Sequence, residues 1–367
     1  MSRLNVALIG AGMIAGEAHI PAYLALGDRA AVSAVCDKEA ERARACAVRY
    51  GISRVYTDAA EMLDREKPDL VSIVTPNQFH VPMTKLALER GANVLCEKPL
   101  AFHRKDACEL YALAQKKGLL LMACQTARFQ RNYYSARRYT EEGVLGTSYY
   151  GEITHIRRRG VPTWGHFLDR NINGGGALVD IGVHVIDAML WILGSPQVKS
   201  VIGTAFSGIA SSERNIRWNR RECGMLSDSG TGFFPDIPSI DVEEFASGLM
   251  LTDGPSIHFK VAWAANLPSE TRLTALGDKA GMVVPDLRIY STFREDQADI
   301  TPRLFAIGPY DSLPFSGHYY LIRNMADALQ NGAELFVKPE ETINTTTAIE
   351  LYYKSIEKGG IAFLEEV

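Results

Sequence analysis

Three side-chain types in this chain could act together on a hydroxyl group: a carboxylate, an imidazole and an ammonium. Asp180 and His184 stand four residues apart in Gly174-Gly175-Gly176-Ala177-Leu178-Val179-Asp180-Ile181-Gly182-Val183-His184. That spacing sets two side chains one turn apart on a helix, close enough to act on one bound molecule. A carboxylate and an imidazole so placed can hold a hydroxyl and take its proton. Lys98, in Glu97-Lys98-Pro99, could bond such an oxygen and, as a fixed cation, lower its pKa. Each has a plainer reading taken alone. Asp180, His184 and Asp187 could form a solvated helix face, and Lys98 could be a surface lysine in a loop.

The elements that must position these residues are legible around them. Leu178, Ile181, Val185, Ala188 and Ile192 recur at three- and four-residue steps, so one face of the helix packs into a core. Gly194-Ser195-Pro196 stops it. At the other end of the chain, the apolar run 4–9 leads into Gly10-Ala11-Gly12-Met13-Ile14-Ala15, a G-x-G-x-x-A pattern. There Gly10 permits a tight turn, Gly12 lets backbone approach a pyrophosphate, and Ala15 lets helix pack closely on strand. Met13 and Ile14 open a helix to about Leu26, whose first N–H groups and positive dipole end face phosphates. A second strand, 31–36, ends in Asp37, roughly twenty residues past the glycines. A carboxylate there takes the ribose hydroxyls and repels a 2′-phosphate, which favours NAD over NADP. Asp37 could also cap the helix 38–49, and both roles are compatible.

Strands at 69–74, 93–96 and 119–122 alternate with helices near 58–65, 81–89 and 104–117. Such alternation predicts a doubly wound parallel sheet, with ligands beyond the carboxyl ends of its strands. Asp37, Thr75-Pro76-Asn77 and Glu97-Lys98-Pro99 all fall at such ends. Pro99 could hold its loop in an unusual geometry, even a cis bond. His80 could touch a cofactor or brace the loop and helix start. Gln125 and Arg128 follow the last strand and are expected near the nicotinamide end, with a salt bridge as the alternative for Arg128.

These motifs, in this order and spacing, resemble the glucose–fructose oxidoreductase / inositol dehydrogenase (Gfo/Idh/MocA) family. They are the G-x-G-x-x-A, T-P-N-x-x-H from Thr75 to His80, E-K-P from Glu97 to Pro99, and G-G-G-A-L-x-D-I-G-x-H from Gly174 to His184. The resemblance covers residues 4 to about 360. It implies an α/β chain with a Rossmann domain, 1–123, and an α+β domain with a large open antiparallel sheet, 124–367, whose last helices could return to the first domain. It implies a nicotinamide beside Lys98, with Glu97 among the cofactor contacts. In the roles it carries over, Lys98 polarises the substrate oxygen, Asp180 orients the substrate and His184 is the acid/base. The loop 160–165 is similar to one in sugar-acting members, so Trp164 could stack on a sugar ring; a core tryptophan is the other reading. A homodimer or homotetramer through the open sheet faces is also implied.

In the second half, strands are predicted at 198–206, 242–252, 256–264, 271–276, 282–284 and 287–290, and helices at 318–331 and 342–357. Asp253-Gly254 reads as a hairpin turn. The stretch 207–240 carries Arg214, Arg217, Trp218, Arg220 and Arg221. It could cover a substrate, contact a neighbouring subunit or be a solvated excursion, and its arginines could read a carboxylate or phosphate.

A chain of 367 residues suits roughly two domains. With 47% hydrophobic and 22% charged residues and a net charge of −4, it offers no electrostatic footprint for nucleic acid. No apolar run of membrane-span length and no signal peptide are read, so a cytoplasmic protein is expected. Cys36, Cys46, Cys96, Cys108, Cys124 and Cys223 are scattered, as buried thiols rather than disulfides or zinc ligands, and no metal is expected. The expected function is an NAD-dependent oxidoreductase moving a hydride between the nicotinamide and a secondary alcohol of a sugar, glycoside or inositol. One rival keeps NAD bound and cleaves a glycosidic bond by reversible oxidation. Another is a dinucleotide-binding regulator, which would be expected to lose the lysine or histidine that this chain keeps.

Overall fold

Short runs of apolar residues, covered on both faces, make the first sheet. The strands are β1 (Leu4–Ile9), β2 (Ala30–Cys36), β3 (Arg54–Tyr56), β4 (Leu70–Ile73), β5 (Asn93–Cys96) and β6 (Leu121–Ala123). They pair parallel in the order β3-β2-β1-β4-β5-β6. This is the order of a dinucleotide-binding sheet, and its direction reverses between β1 and β4. Every residue of β4 is buried, as a strand between two helix layers requires. The edge strand β3, two of whose three residues are exposed, carries no apolar run and is absent from the expected set. The computed structural model describes residues 3–162, 164–209, 240–313 and 315–367, with the backbone of 217–219 and 231–233.

By internal contacts the chain divides into two units, Met1–Phe129 with Ala306–Ile343, and Gln130–Phe305 with Asn344–Val367. The first therefore recruits a late segment. The helix Ser316–Asn331 places Tyr319, Leu321, Ile322 and Met325 in one core with Leu4, Val6 and Leu8 of β1.

The second unit is built on nine strands. They are β7 (Ser148–Ile156), β8 (Val198–Phe206), β11 (Phe245–Thr252), β12 (Ser256–Ala262), β13 (Glu270–Gly277), β14 (Ala280–Val284), β15 (Arg288–Phe293), β16 (Asp296–Ile300) and β17 (Ala362–Phe363). Among the described residues, β9 (Arg217–Asn219) and β10 (Thr231–Phe233) pair with each other. The nine-stranded order is β16-β15-β14-β13-β7-β12-β11-β8-β17. Its pairs are antiparallel except β7 with β12, so the antiparallel sheet expected from sequence is mixed at one seam. After β7 the chain leaves for helices, re-enters at β8 and works back by antiparallel neighbours until β12 lies beside β7. The exposed, charged β16 has no alternating apolar pattern to reveal it.

Behind the sheet lie a π-helical turn, Leu178–Gly182, and the helix Val183–Ile192 that continues it. The stretch Arg170–Ile192 is long and apolar enough to cross a membrane by composition, which corrects the expectation that no such run exists; most of it is buried inside the fold. Cys36, Cys46, Cys96, Cys108 and Cys124 are free thiols, the first three and the last buried. Cys223 and the arginines of the 207–240 excursion lie outside the residues whose side chains are described.

Candidate active site

In the first unit the glycine turn sits where the strand order reverses. Gly10 has φ +103°, and a Cβ there would overlap the carbonyl oxygen of Val74, at the end of β4. The backbones of β1 and β4 thus approach too closely for any side chain, which is the physical demand for glycine at this point. Asp37, 7% exposed, ties the turn to the next helix. Its Oδ2 accepts from the Ala11 N–H at 2.9 Å and its Oδ1 from the Glu39 N–H at 2.9 Å, while Arg42 donates to both oxygens. The residue at the cap position of the helix Ala40–Tyr50 is Glu39 rather than Asp37.

The loops after β4 and β5 are braced by histidines. His80 is fully buried, with Nδ1 2.7 Å from the Pro99 carbonyl oxygen and Nε2 2.9 Å from that of Thr75. Its ring therefore spans the two strand-end loops, the bracing role that its position allowed. Glu97 collects three groups. Its Oε1 accepts from His19 Nε2 at 2.8 Å and from His318 Nε2 at 3.0 Å, and its Oε2 from the Lys98 main-chain N–H at 3.2 Å. His19 reaches back through Nδ1 to Ser72 Oγ, which bonds the Tyr23 hydroxyl. The three acid and imidazole groups lie close enough to hold a metal ion, but the spacings to Oε1 are those of hydrogen bonds. The Lys98–Pro99 peptide bond is cis.

Burial works to raise the Glu97 pKa, but the hydrogen bonds from His19 and His318 outweigh it and hold the carboxyl well below its ordinary value. Burial lowers that of His19, against its bond to Glu97. Both shifts give stability the same pH dependence. Glu97 contributes fully above an unfolded value of about 4.3 and loses its contribution as pH falls through the folded value. His19 acts from about 6.5 downward, because the unfolded imidazole takes up a proton that the buried one resists. Glu97→Gln should lower the thermal unfolding midpoint near neutral pH, and the deficit should narrow in acid. A deficit that stays constant as the carboxyl range is crossed would remove the carboxylate from this account.

In the second unit, every residue from Leu178 to Ile192 is buried except Asp180 and His184. A solvated face would leave more of the helix open, and Asp187 is fully buried, accepting from the Thr345 hydroxyl at 3.2 Å. The π turn that carries Asp180 is a local widening of a kind that recurs at functional sites. Asp180 Oδ2 accepts from the Trp263 indole N–H at 3.0 Å, and its own N–H donates to the Gly176 carbonyl. His155 of β7 lies in the same electrostatic neighbourhood. Burial pushes its imidazole down to about 4, Arg157 adds to this, and Asp180 opposes it. Its Nδ1 lies 2.8 Å from Thr271 Oγ1.

Trp263 and His155 escape sequence reasoning, since an apolar strand run and an isolated histidine carry no motif. Arg128, a candidate for the substrate by sequence, is 1% exposed and ion-paired with Glu341. Removing one partner of such a buried pair costs about 3–5 kcal/mol, so its guanidinium is committed to the fold. Trp164 is half-buried, its ring edge-on to Phe167 at 6.0 Å, so it is not a core tryptophan.

Residues 4–124 match the model of an oxidoreductase family with an NAD-binding Rossmann fold, and residues 133–283 match the GFO/IDH/MocA C-terminal domain. The chain is 35% identical over 293 residues to the D-glucoside 3-dehydrogenase of Escherichia coli (strain K12), covering 79% of each. The chain belongs to the Gfo/Idh/MocA oxidoreductase family. Two solved structures share the fold of this Gfo/Idh/MocA chain. One is an oxidoreductase domain protein from Kribbella flavida, with TM-score 0.80 and 21% identity over 99% of this chain and 100% of that one. The other is a levoglucosan dehydrogenase in complex with NADH, with TM-score 0.80 and 20% identity over 99% of each.

The residues of the first unit fit the dinucleotide that the family fold implies. A Cβ on Gly12 would meet nothing within 4 Å, so open space lies where a pyrophosphate would approach. Thr75 Oγ1 and Gln125 Oε1 are buried polar atoms with no hydrogen-bond partner. An unmet buried group costs about 1–3 kcal/mol, a cost that a bound ligand in contact with it removes. Both residues follow strands of the parallel sheet, where the cofactor is expected.

Proposed function

We propose that this Gfo/Idh/MocA protein is an NAD-dependent oxidoreductase acting on a secondary alcohol of a sugar or glycoside. The observation that carries the reading is the helix Leu178–Ile192, where the two residues that are not fully buried are one carboxylate and one imidazole. The D-glucoside 3-dehydrogenase and the levoglucosan dehydrogenase described above support a sugar as substrate.

Gly10, Gly12, Met13 and Ile14 would hold the pyrophosphate, Asp37 the ribose, and Thr75, Pro76, Asn77, Glu97 and Gln125 the remainder of the dinucleotide. Bound NAD supplies hydride acceptance. The chain's own groups do the rest. The Lys98 ammonium polarises the substrate oxygen and stabilises negative charge on it. His184 takes the hydroxyl proton as general base, and returns it when the reaction runs as a reduction. Asp180, its carboxylate fixed by the Trp263 indole, orients the hydroxyl toward that imidazole.

The test follows the near-ultraviolet absorbance of reduced nicotinamide with NAD, and separately NADP, over aldoses, simple glycosides and inositols. A rise with one ring class and NAD is the expected result. Silence across the panel, with nucleotide found in the purified protein, would replace this reading with the cofactor-retaining glycosidase.

Cofactor preference gives a second expected outcome. Asp37 takes the ribose hydroxyls and also restrains the Arg42 guanidinium. Asp37→Ser removes the repulsion toward a 2′-phosphate and releases an arginine able to bind it. The NAD-over-NADP ratio of kcat/KM should fall by about tenfold or more. An unchanged ratio would take the ribose role away from Asp37.

A further inference from the structure

We propose that Glu243 and Tyr353 form a brace that positions Asp180 and His184, a role resting on the reading of those two residues given above. Glu243 is buried, and three successive amides at the start of the Asp180 helix end on it. Its Oε2 accepts from the Gly176 N–H at 3.0 Å, its main-chain oxygen from the Ala177 N–H at 3.0 Å, and its Oε1 from the Leu178 N–H at 3.0 Å. Tyr353 donates its hydroxyl to the same Oε1 at 2.9 Å. The first amides of a helix have no partners within it, and a carboxylate complements the positive end of its dipole.

This contact also explains the glycine run. A Cβ on Gly176 would overlap the Glu243 carbonyl oxygen, and one on Gly175 the Tyr353 hydroxyl. The next residue continues the brace to the other side of Asp180. The Glu244 carbonyl accepts from the Trp263 main-chain N–H at 2.8 Å, and the Trp263 indole donates to Asp180 Oδ2. The Asp180 N–H in turn donates to Gly176, whose own N–H is held by Glu243. Main chain and side chain of Asp180 are therefore both fixed from the two adjacent residues 243 and 244. None of the contacts described for the Glu243 carboxylate is with Asp180 or His184 themselves, so it is a positioning residue.

The test is Glu243→Gln in the full chain, with Tyr353→Phe as the milder variant. Glutamine keeps the volume but replaces one acceptor oxygen with a donor that faces an N–H. The proposal expects kcat on the sugar to fall about tenfold, with NAD affinity unchanged. It expects hydrogen exchange to quicken at Gly176–His184, and Tyr353→Phe to move both readouts less and in the same direction. Combined with Trp263→Phe, the loss in kcat should be smaller than the product of the single losses, because both changes act through Asp180. A cap that only adds stability would leave kcat intact while exchange quickens, or give independent losses in the double variant; either result overturns the proposal. If the wild-type chain turns over no sugar with either dinucleotide, the functional reading fails by itself. Exchange then decides the brace: quickening at Gly176–His184 that Trp263→Phe does not increase further supports it, and unchanged exchange or independent quickening by the two variants overturns it.

Discussion

Lys98→Ala is expected to cut turnover with NAD and a sugar by about a hundredfold or more, with NAD affinity retained within a few-fold. In the proposed reaction the ammonium meets negative charge on the substrate oxygen as the proton leaves. Deleting one such charge-stabilising donor in other enzymes costs about 10²–10³ in rate, or about 2.7–4 kcal/mol. The loop itself is held by contacts of its main chain. The Lys98 main-chain N–H is held by Glu97 Oε2, the Glu97 N–H donates to Ile73, and Pro99 is held by His80. Lys98→Arg keeps the charge in a larger, planar group and should recover only part of the rate. Steady-state kinetics with a parallel NAD titration decides the matter. Turnover equal to wild type would remove Lys98 from the mechanism.

His184→Ala should have an effect of the same size for a different reason. A positioned general base contributes about 10²–10⁴ in rate, and no second imidazole on this helix could replace it. His184 is the single residue of Val183–Ile192 that is not buried, so its truncation removes less packing than truncation of the large apolar side chains beside it. The expected signature is a fall in kcat of about a hundredfold or more, an unchanged thermal midpoint and unchanged NAD binding. A loss of turnover matched by a loss of folded protein would make His184 structural instead.

Much of the first unit is legible locally. The apolar runs, the glycine turn and the strand-end positions of Asp37, Thr75 and Lys98 lie within short windows, where period and turn chemistry speak directly. Edge strands do not declare themselves this way. β3 and β16 are exposed and charged, and their place is set by an available sheet edge. The parallel pairing of β7 with β12 is likewise a consequence of return path, invisible to periodicity.

The candidate site divides along the same line. Its residue types, Lys98, Asp180 and His184, and the helical step between the last two, are properties of the sequence alone. What holds them is decided by contacts between residues far apart in the chain. Glu97 accepts a hydrogen bond from His318, 221 residues later. Asp180 is held by Trp263, 83 residues later, and the amide of Gly176 by Glu243, 67 residues later. Tertiary structure likewise put Arg128 in a buried ion pair and Asp187 in the interior. The physical reason is common to all of these. Periodicity and turn preferences act over a few residues, whereas a buried hydrogen-bond partner is chosen by whichever distant segment the packing brings within about 3 Å.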